Sequence, residues 1–220
     1  MLIDARLVGS VVLGLVVSAS GEFIVPDGVN VPWVRNVTAD SAYAQWEVFT
    51  SPVGPNAPDA GEWVGGVLPG TSPGWDVYDT SGESFITGGG SLYSLSAPLN
   101  VHAIAPNFGR GAGHSTTILL QIRTQGMEYQ PGSVHVGGES PIETIELLRE
   151  PLGAMGFLVD TLFRWEVSGN VTGYELRFDA AGPHMSLDRV AIDTWTRVIP
   201  APGSIALGML ALAAGTRRRR

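Results

Sequence analysis

Twenty-one carboxylates, four histidines and six tryptophans are the side chains of this 220-residue chain with chemistry to offer, and cysteine is absent. Without cysteine there is no disulfide framework, thiolate zinc site or thiol nucleophile. His102, His114, His135 and His184 show no His-x-x-x-His or comparable ligand spacing, so zinc is not expected. Ser115 follows His114, but neighbours on a strand point to opposite faces and cannot pair as nucleophile and base. No Gly-x-Ser-x-Gly elbow occurs. Gly109-Arg-Gly-Ala-Gly113 leads into a strand pattern, so no helix N-terminus is there to hold phosphate. Glu47, Asp76, Asp79, Glu83, Asp188 and Asp193 could supply a glycosidase pair. That chemistry needs two carboxyls about 5 or 9 Å apart, which spacing along the chain does not set. No catalytic residue is assigned; an exported glycoside hydrolase-like enzyme stands as the third reading.

Binding chemistry is better represented. Asp76-Val-Tyr-Asp79-Thr-Ser-Gly-Glu83 gathers acids and hydroxyls in a turn-rich stretch. Asp76, Asp79 and Glu83 are the candidate calcium ligands, although EF-hand spacing is missing and a solvated acidic loop is the commoner use of such a run. Trp46 and Trp165 fall on apolar strand faces and belong to a core. Trp33, Trp63, Trp75 and Trp195 sit in or beside loops. Trp63 and Trp75, which punctuate the Pro/Gly/Asp-rich stretch 51–82, are the candidate sugar-stacking rings, because an aromatic plane matches the apolar face of a sugar. Packing beneath a long loop is the alternative.

These residues must be positioned by strands. Gly 29 and Pro 15 make a fifth of the chain, which favours many short strands over long helices. Alternation marks the clearest of them. Ala44, Trp46 and Val48 share a face, as do Ile118, Leu120 and Ile122; Phe163, Trp165 and Val167; and Tyr174, Leu176 and Phe178. Ser168-Gly169-Asn170 lies between the last two runs and predicts a hairpin across 165–178. In 185–195, Leu187 fits one face and Val190 and Ile192 the other, which predicts a bulge near Asp188-Arg189. Further strands are expected at 22–25, 63–67, 85–86, 91–95, 101–105 and 133–136. The stretch 140–151 has a capping-box start, yet Ile145 and Leu147 alternate with Thr144 and Glu146, and strand is preferred. The expected fold is all-β: an antiparallel two-sheet β-sandwich of jelly-roll type over 20–197, flanked by an N-terminal signal helix and a C-terminal apolar helix.

The two ends read as an address. Residues 1–19 combine Arg6, an apolar run from Leu7 to Val17 and small residues at 18–20, as in a signal peptide cut after Ala19. Residues 198–220 run from Val198-Ile199 through Pro200-Ala201-Pro202-Gly203 and a small apolar segment, Ser204 to Ala214, to Arg217-Arg218-Arg219-Arg220. As a helix the apolar part would reach only about 20 Å, against a bilayer core of about 30 Å, and the arginines hold it from the cytoplasmic side. That suits a temporary inner-membrane anchor. Between the ends, 20 acids stand against 8 arginines, a net of −12, which argues against nucleic acid.

The order of these C-terminal parts resembles the PEP-CTERM sorting signal, with Ala201 where the name-giving motif has Glu. The resemblance implies export by the Sec pathway and processing by an exosortase, a membrane transpeptidase-like partner. It also implies delivery to the cell surface or matrix beside exopolysaccharide. Ser186-Leu-Asp-Arg-Val-Ala-Ile-Asp193 is similar to the closing strand of jelly-roll carbohydrate-binding modules. Taken together, these features lead to an exported, non-catalytic surface or matrix protein associated with polysaccharide; a carbohydrate-binding module with a defined sugar site is the second reading. No cofactor is expected apart from calcium in the 76–83 stretch.

Overall fold

A computed structural model describes residues 31–35, 37–64 and 74–200. The expected signal segment 1–19, the expected strand at 22–25 and the expected sorting signal beyond Pro200 lie outside the described residues, as do both flanking helices expected from the sequence. Among the described residues there is no α-helix, only a 3-10 turn at Gly153–Met155 and twelve strands. No described helix is long and apolar enough to cross a membrane.

The strands are β1 (Ser41–Trp46), β2 (Ala60–Val64), β3 (Asp76–Asp79), β4 (Ser84–Ile86), β5 (Leu92–Ser94) and β6 (Asn100–Pro106). They continue as β7 (His114–Gly126), β8 (His135–Val136), β9 (Glu143–Pro151), β10 (Phe157–Ser168), β11 (Gly173–Asp179) and β12 (Met185–Val198). One sheet has eight strands in the order β2-β1-β12-β7-β10-β9, with β5 also on β12 and β4 on β5. The other has four, β3-β6-β11-β8, and every pairing in both is antiparallel. β12 is long enough for β5 to pair at Ser186 and Leu187 while β1 pairs from Val190 to Trp195 on the same side.

Alternation sends one stripe from each strand into a shared core. Ala44, Trp46, Ile118, Leu120, Ile122, Phe163, Trp165, Val190 and Ile192 come from the large sheet. Val77, Val101, Ala103, Leu176 and Phe178 meet them from the small one, and this packing makes the pair a β-sandwich. The two core tryptophans keep their indole N–H groups satisfied, Trp46 donating to the Asn56 carbonyl at 2.9 Å and Trp165 to the Glu139 carbonyl at 3.0 Å. Val48 departs from its expected face: β1 ends at Trp46 and Val48 is exposed.

Of three local expectations, one about connectivity comes out differently. Within the run 140–151, residues 143–151 are strand, as preferred, forming the exposed edge strand β9. Its outward Glu143, Glu146, Arg149 and Glu150 guard an edge that would otherwise recruit another strand. The hairpin across 165–178 does not form. β10 pairs with β7 and β9 in one sheet, while β11 pairs with β6 and β8 in the other. The intervening residues bridge the sheets because their hydrogen bonds go elsewhere. Gly169 N–H donates to the His114 carbonyl at 2.7 Å, and the Asn170 amide reaches Thr116 at 2.9 Å and Thr196 at 2.7 Å. The bulge is present: the β12–β7 register shifts between Leu187 and Arg189. There the Asp188 carboxylate accepts a hydrogen bond from Ser91 at 2.7 Å.

Candidate functional site

The small sheet turns its polar face outward. The register places Tyr78 opposite His102, His102 opposite Arg177, and Arg177 opposite His135, a single row across four strands. The next row sets Asp76 and Glu175 on either side of Ile104. Side chains in such rows touch, and here they are hydrogen-bonded along most of their length. Asn100 donates to Asp179 at 2.5 Å, and its carbonyl oxygen lies 2.8 Å from His102 Nε2. His102 Nδ1 lies 2.7 Å from Glu175, whose second oxygen accepts from Arg177 at 2.6 Å. The Arg177 guanidinium, helped by His102 and opposed by partial burial, holds the Glu175 carboxyl below the usual carboxylate range. The Tyr78 and His102 rings lie offset and nearly parallel, 5.5 Å apart with 25° between their planes.

Beside this platform runs a groove of about 620 Å³, lined by Val53, Gly54, Pro55, Gly74, Trp75, Asp76, Tyr78, Ile104 and Glu175. Its wall is the loop before β2, pinned by Asn56. The buried Asn56 amide donates to the Ser51 carbonyl at 2.7 Å and the Val77 carbonyl at 2.6 Å, and accepts from the N–H groups of Thr50 and Ser51. The Asn56 N–H donates to the Asp76 carboxylate at 2.6 Å. Gly54 closes the wall at φ +73°, a left-handed conformation that favours glycine, and a Cβ there would press an Asp76 carboxylate oxygen at 2.9 Å.

The sequence-derived site residues are only partly brought together. Trp75 lines the groove but is half-buried, packed on the core with its ring 6.2 Å from Trp46 and tilted by 59°. Trp63 has its backbone in β2, opposite Ala42, and its side chain lies outside the described residues. Asp76, Asp79 and Glu83 do not converge. Strand alternation turns Asp76 outward and Asp79 inward, where it is buried and accepts from Asn100 N–H at 2.8 Å and from Ser81. Glu83 accepts from Ser96 at 3.1 Å instead. Among the described residues no three histidines or carboxylates are grouped to hold a metal ion. Of the sorting-signal residues, Pro200 is described and Ala201, Pro202, Gly203 and Arg217–Arg220 lie outside.

Tyr78, His102, Asn100 and Glu175 were not singled out from sequence. Their signal was the outward half of two alternating strands, an unusual concentration of hydrogen-bonding and aromatic groups where simple solvation would serve.

No protein-family model matches this chain, and no curated protein is similar to it. Among solved structures, a CBM35 from Cellvibrio japonicus Abf62 is similar over 58% of this chain and 89% of that one. The two share 16% identity, with a TM-score of 0.33.

Proposed function

We propose that this protein is a non-catalytic, exported β-sandwich of jelly-roll type that holds extracellular polysaccharide in the groove beside β3, β6 and β11. The observation that carries the reading is the Tyr78–His102 pair set among fixed carboxylate and amide groups. A sugar ring needs an apolar plane beneath it and acceptors at its rim, already oriented. The pair provides the first, with Tyr78 lining the groove, and Asp76 and Glu175 the second.

Asp76 and Glu175 also raise the hydrolase reading, because they flank Ile104 from both sides. Two strand spacings put their backbones about 10 Å apart. A glycosidase needs one carboxyl kept protonated as general acid. Glu175 is pulled the other way by Arg177. This supports binding over hydrolysis.

The C-terminal segment, with its Pro200–Gly203 break and four final arginines, is proposed as the exosortase signal, and residues 1–19 as the export signal. A panel of surface glycans offered to the detergent-solubilised whole chain tests the binding reading. Selective capture of one polysaccharide class is expected, with the sugar chain recovered at its original length. A flat response to every glycan would sink the reading, and shortened glycan would restore the hydrolase.

A further inference from the structure

A second concave site lies on the large sheet. It is a cleft of about 570 Å³ where the ends of β5, β7 and β12 meet the 152–156 turn. Tyr93, Ser186, Gln125 and Leu158 fall in one cross-strand row on the outer face, since Ser186 pairs with both Tyr93 and Gln125, and Gln125 with Leu158. Met127 and Met155, both exposed, form apolar walls, and His184 stands beside Tyr93 with its Nδ1 2.9 Å from the phenol.

Three features show that the cleft is built. Gly126 and Gly156 have φ of +82° and +88°, and a Cβ on either would lie 2.6 Å from a backbone oxygen, so the floor is bare backbone by necessity. His184 holds φ +70°, a left-handed conformation that costs energy in a residue other than glycine and that clusters at functional positions. Gln125 and Ser186 make no side-chain hydrogen bond to any described residue, leaving an amide and a hydroxyl free to face a ligand.

The lining selects a class of ligand. Among the described residues no carboxylate or arginine lines the cleft to compensate a charged ligand. A wholly apolar ligand would leave the Gln125 amide and Ser186 hydroxyl unpaired. A plain hexose would leave the thioether walls wetted. A neutral sugar with an acetamido group satisfies both. Its N–H and carbonyl would pair with the Gln125 amide, its methyl would pack on the Met127 and Met155 thioethers, and its ring hydroxyls would meet Ser186 and His184. We propose that this cleft binds one N-acetylated hexosamine residue. The site is independent of the groove: it shares no residue with it and lies on the other sheet.

The test is methyl NMR on the detergent-solubilised whole chain carrying 13C-methyl methionine, titrated with N-acetylglucosamine and, separately, with glucose. The Met127 and Met155 signals are expected to shift with N-acetylglucosamine and not with glucose, while the buried Met185 signal stays still. Gln125→Ala should weaken the response at least tenfold, and Tyr78→Ala should leave it unchanged, so the failure of one site is distinguishable from the failure of the other. No shift at tens of millimolar sugar, or equal shifts with glucose, would overturn the proposal. Met155 is 71% exposed, so Met155→Ala should fold normally and lose the binding too.

Discussion

Glu175 owes its state to its neighbours. Its carboxyl is lowered chiefly by the Arg177 hydrogen bond, with His102 adding to it. A carboxyl whose folded pKa lies below its unfolded value of about 4.3 stabilises the fold fully above that value. The contribution is lost as pH falls through the folded pKa. Acid unfolding below about pH 4 should therefore be shallower in Glu175→Gln than in the parent chain, as circular dichroism across pH 2–6 would register. The half-exposed side chain keeps the effect small. Asn56 is the opposite case, a buried amide satisfied on every side. Asn56→Ala strands two carbonyls and two N–H groups and should cost about 1–3 kcal/mol in urea unfolding. A loss below 0.5 kcal/mol, on the order of an ordinary surface change, would mean the groove wall is held by something else.

Among the elements, β7, β10 and β12 form the centre of the large sheet, and their outer face carries a paired charge. Arg123 clasps Asp160 with two hydrogen bonds of 2.7 Å, and Asp160 is only 5% exposed. The Asp160 hydrogen bond, opposed by partial burial, also raises the Arg123 guanidinium above its ordinary range. Removing one member leaves the other charge buried, so Arg123→Ala should cost about 3–5 kcal/mol, whereas the double replacement Arg123→Met, Asp160→Leu should recover most of it. Chemical denaturation of the three variants checks both expectations. Strand faces were legible in the sequence wherever alternation was clean, as in Ile118–Ile122 and Tyr174–Phe178, because period two follows from backbone geometry alone. Even the slip at Asp188 was visible as a change of parity. Which strand pairs with which was not legible: the 165–178 stretch looked local, yet Asn170 ties its turn to Thr116 and Thr196 across long separations. The candidate sites share that difficulty. Tyr93, Gln125, Met155 and His184 come from distant positions, and only the sheet brings them together.

For the whole molecule, charge and address act together. The stretch between the two ends carries −12, a sign suited to neutral glycans and ill-suited to nucleic acid. The proposed sorting signal holds four of the 13 basic residues, so its removal would leave the protein more acidic. Deleting Arg217–Arg220, or replacing Pro200–Gly203 with alanines, should leave an unprocessed, membrane-held precursor in the native host, seen as a larger band in the membrane fraction. Release at unchanged size would contradict the sorting reading.

Polysaccharide capture at the groove is the central claim, and Tyr78 is its most exposed point. Isothermal titration of the captured glycan into the parent chain, Tyr78→Phe and Tyr78→Ala tests it most directly. Stacking is worth about 0.5–1.5 kcal/mol beyond buried area, so Tyr78→Phe should bind within a few-fold of the parent and Tyr78→Ala at least tenfold more weakly. Equal affinity in all three, with the fold intact, would contradict the account.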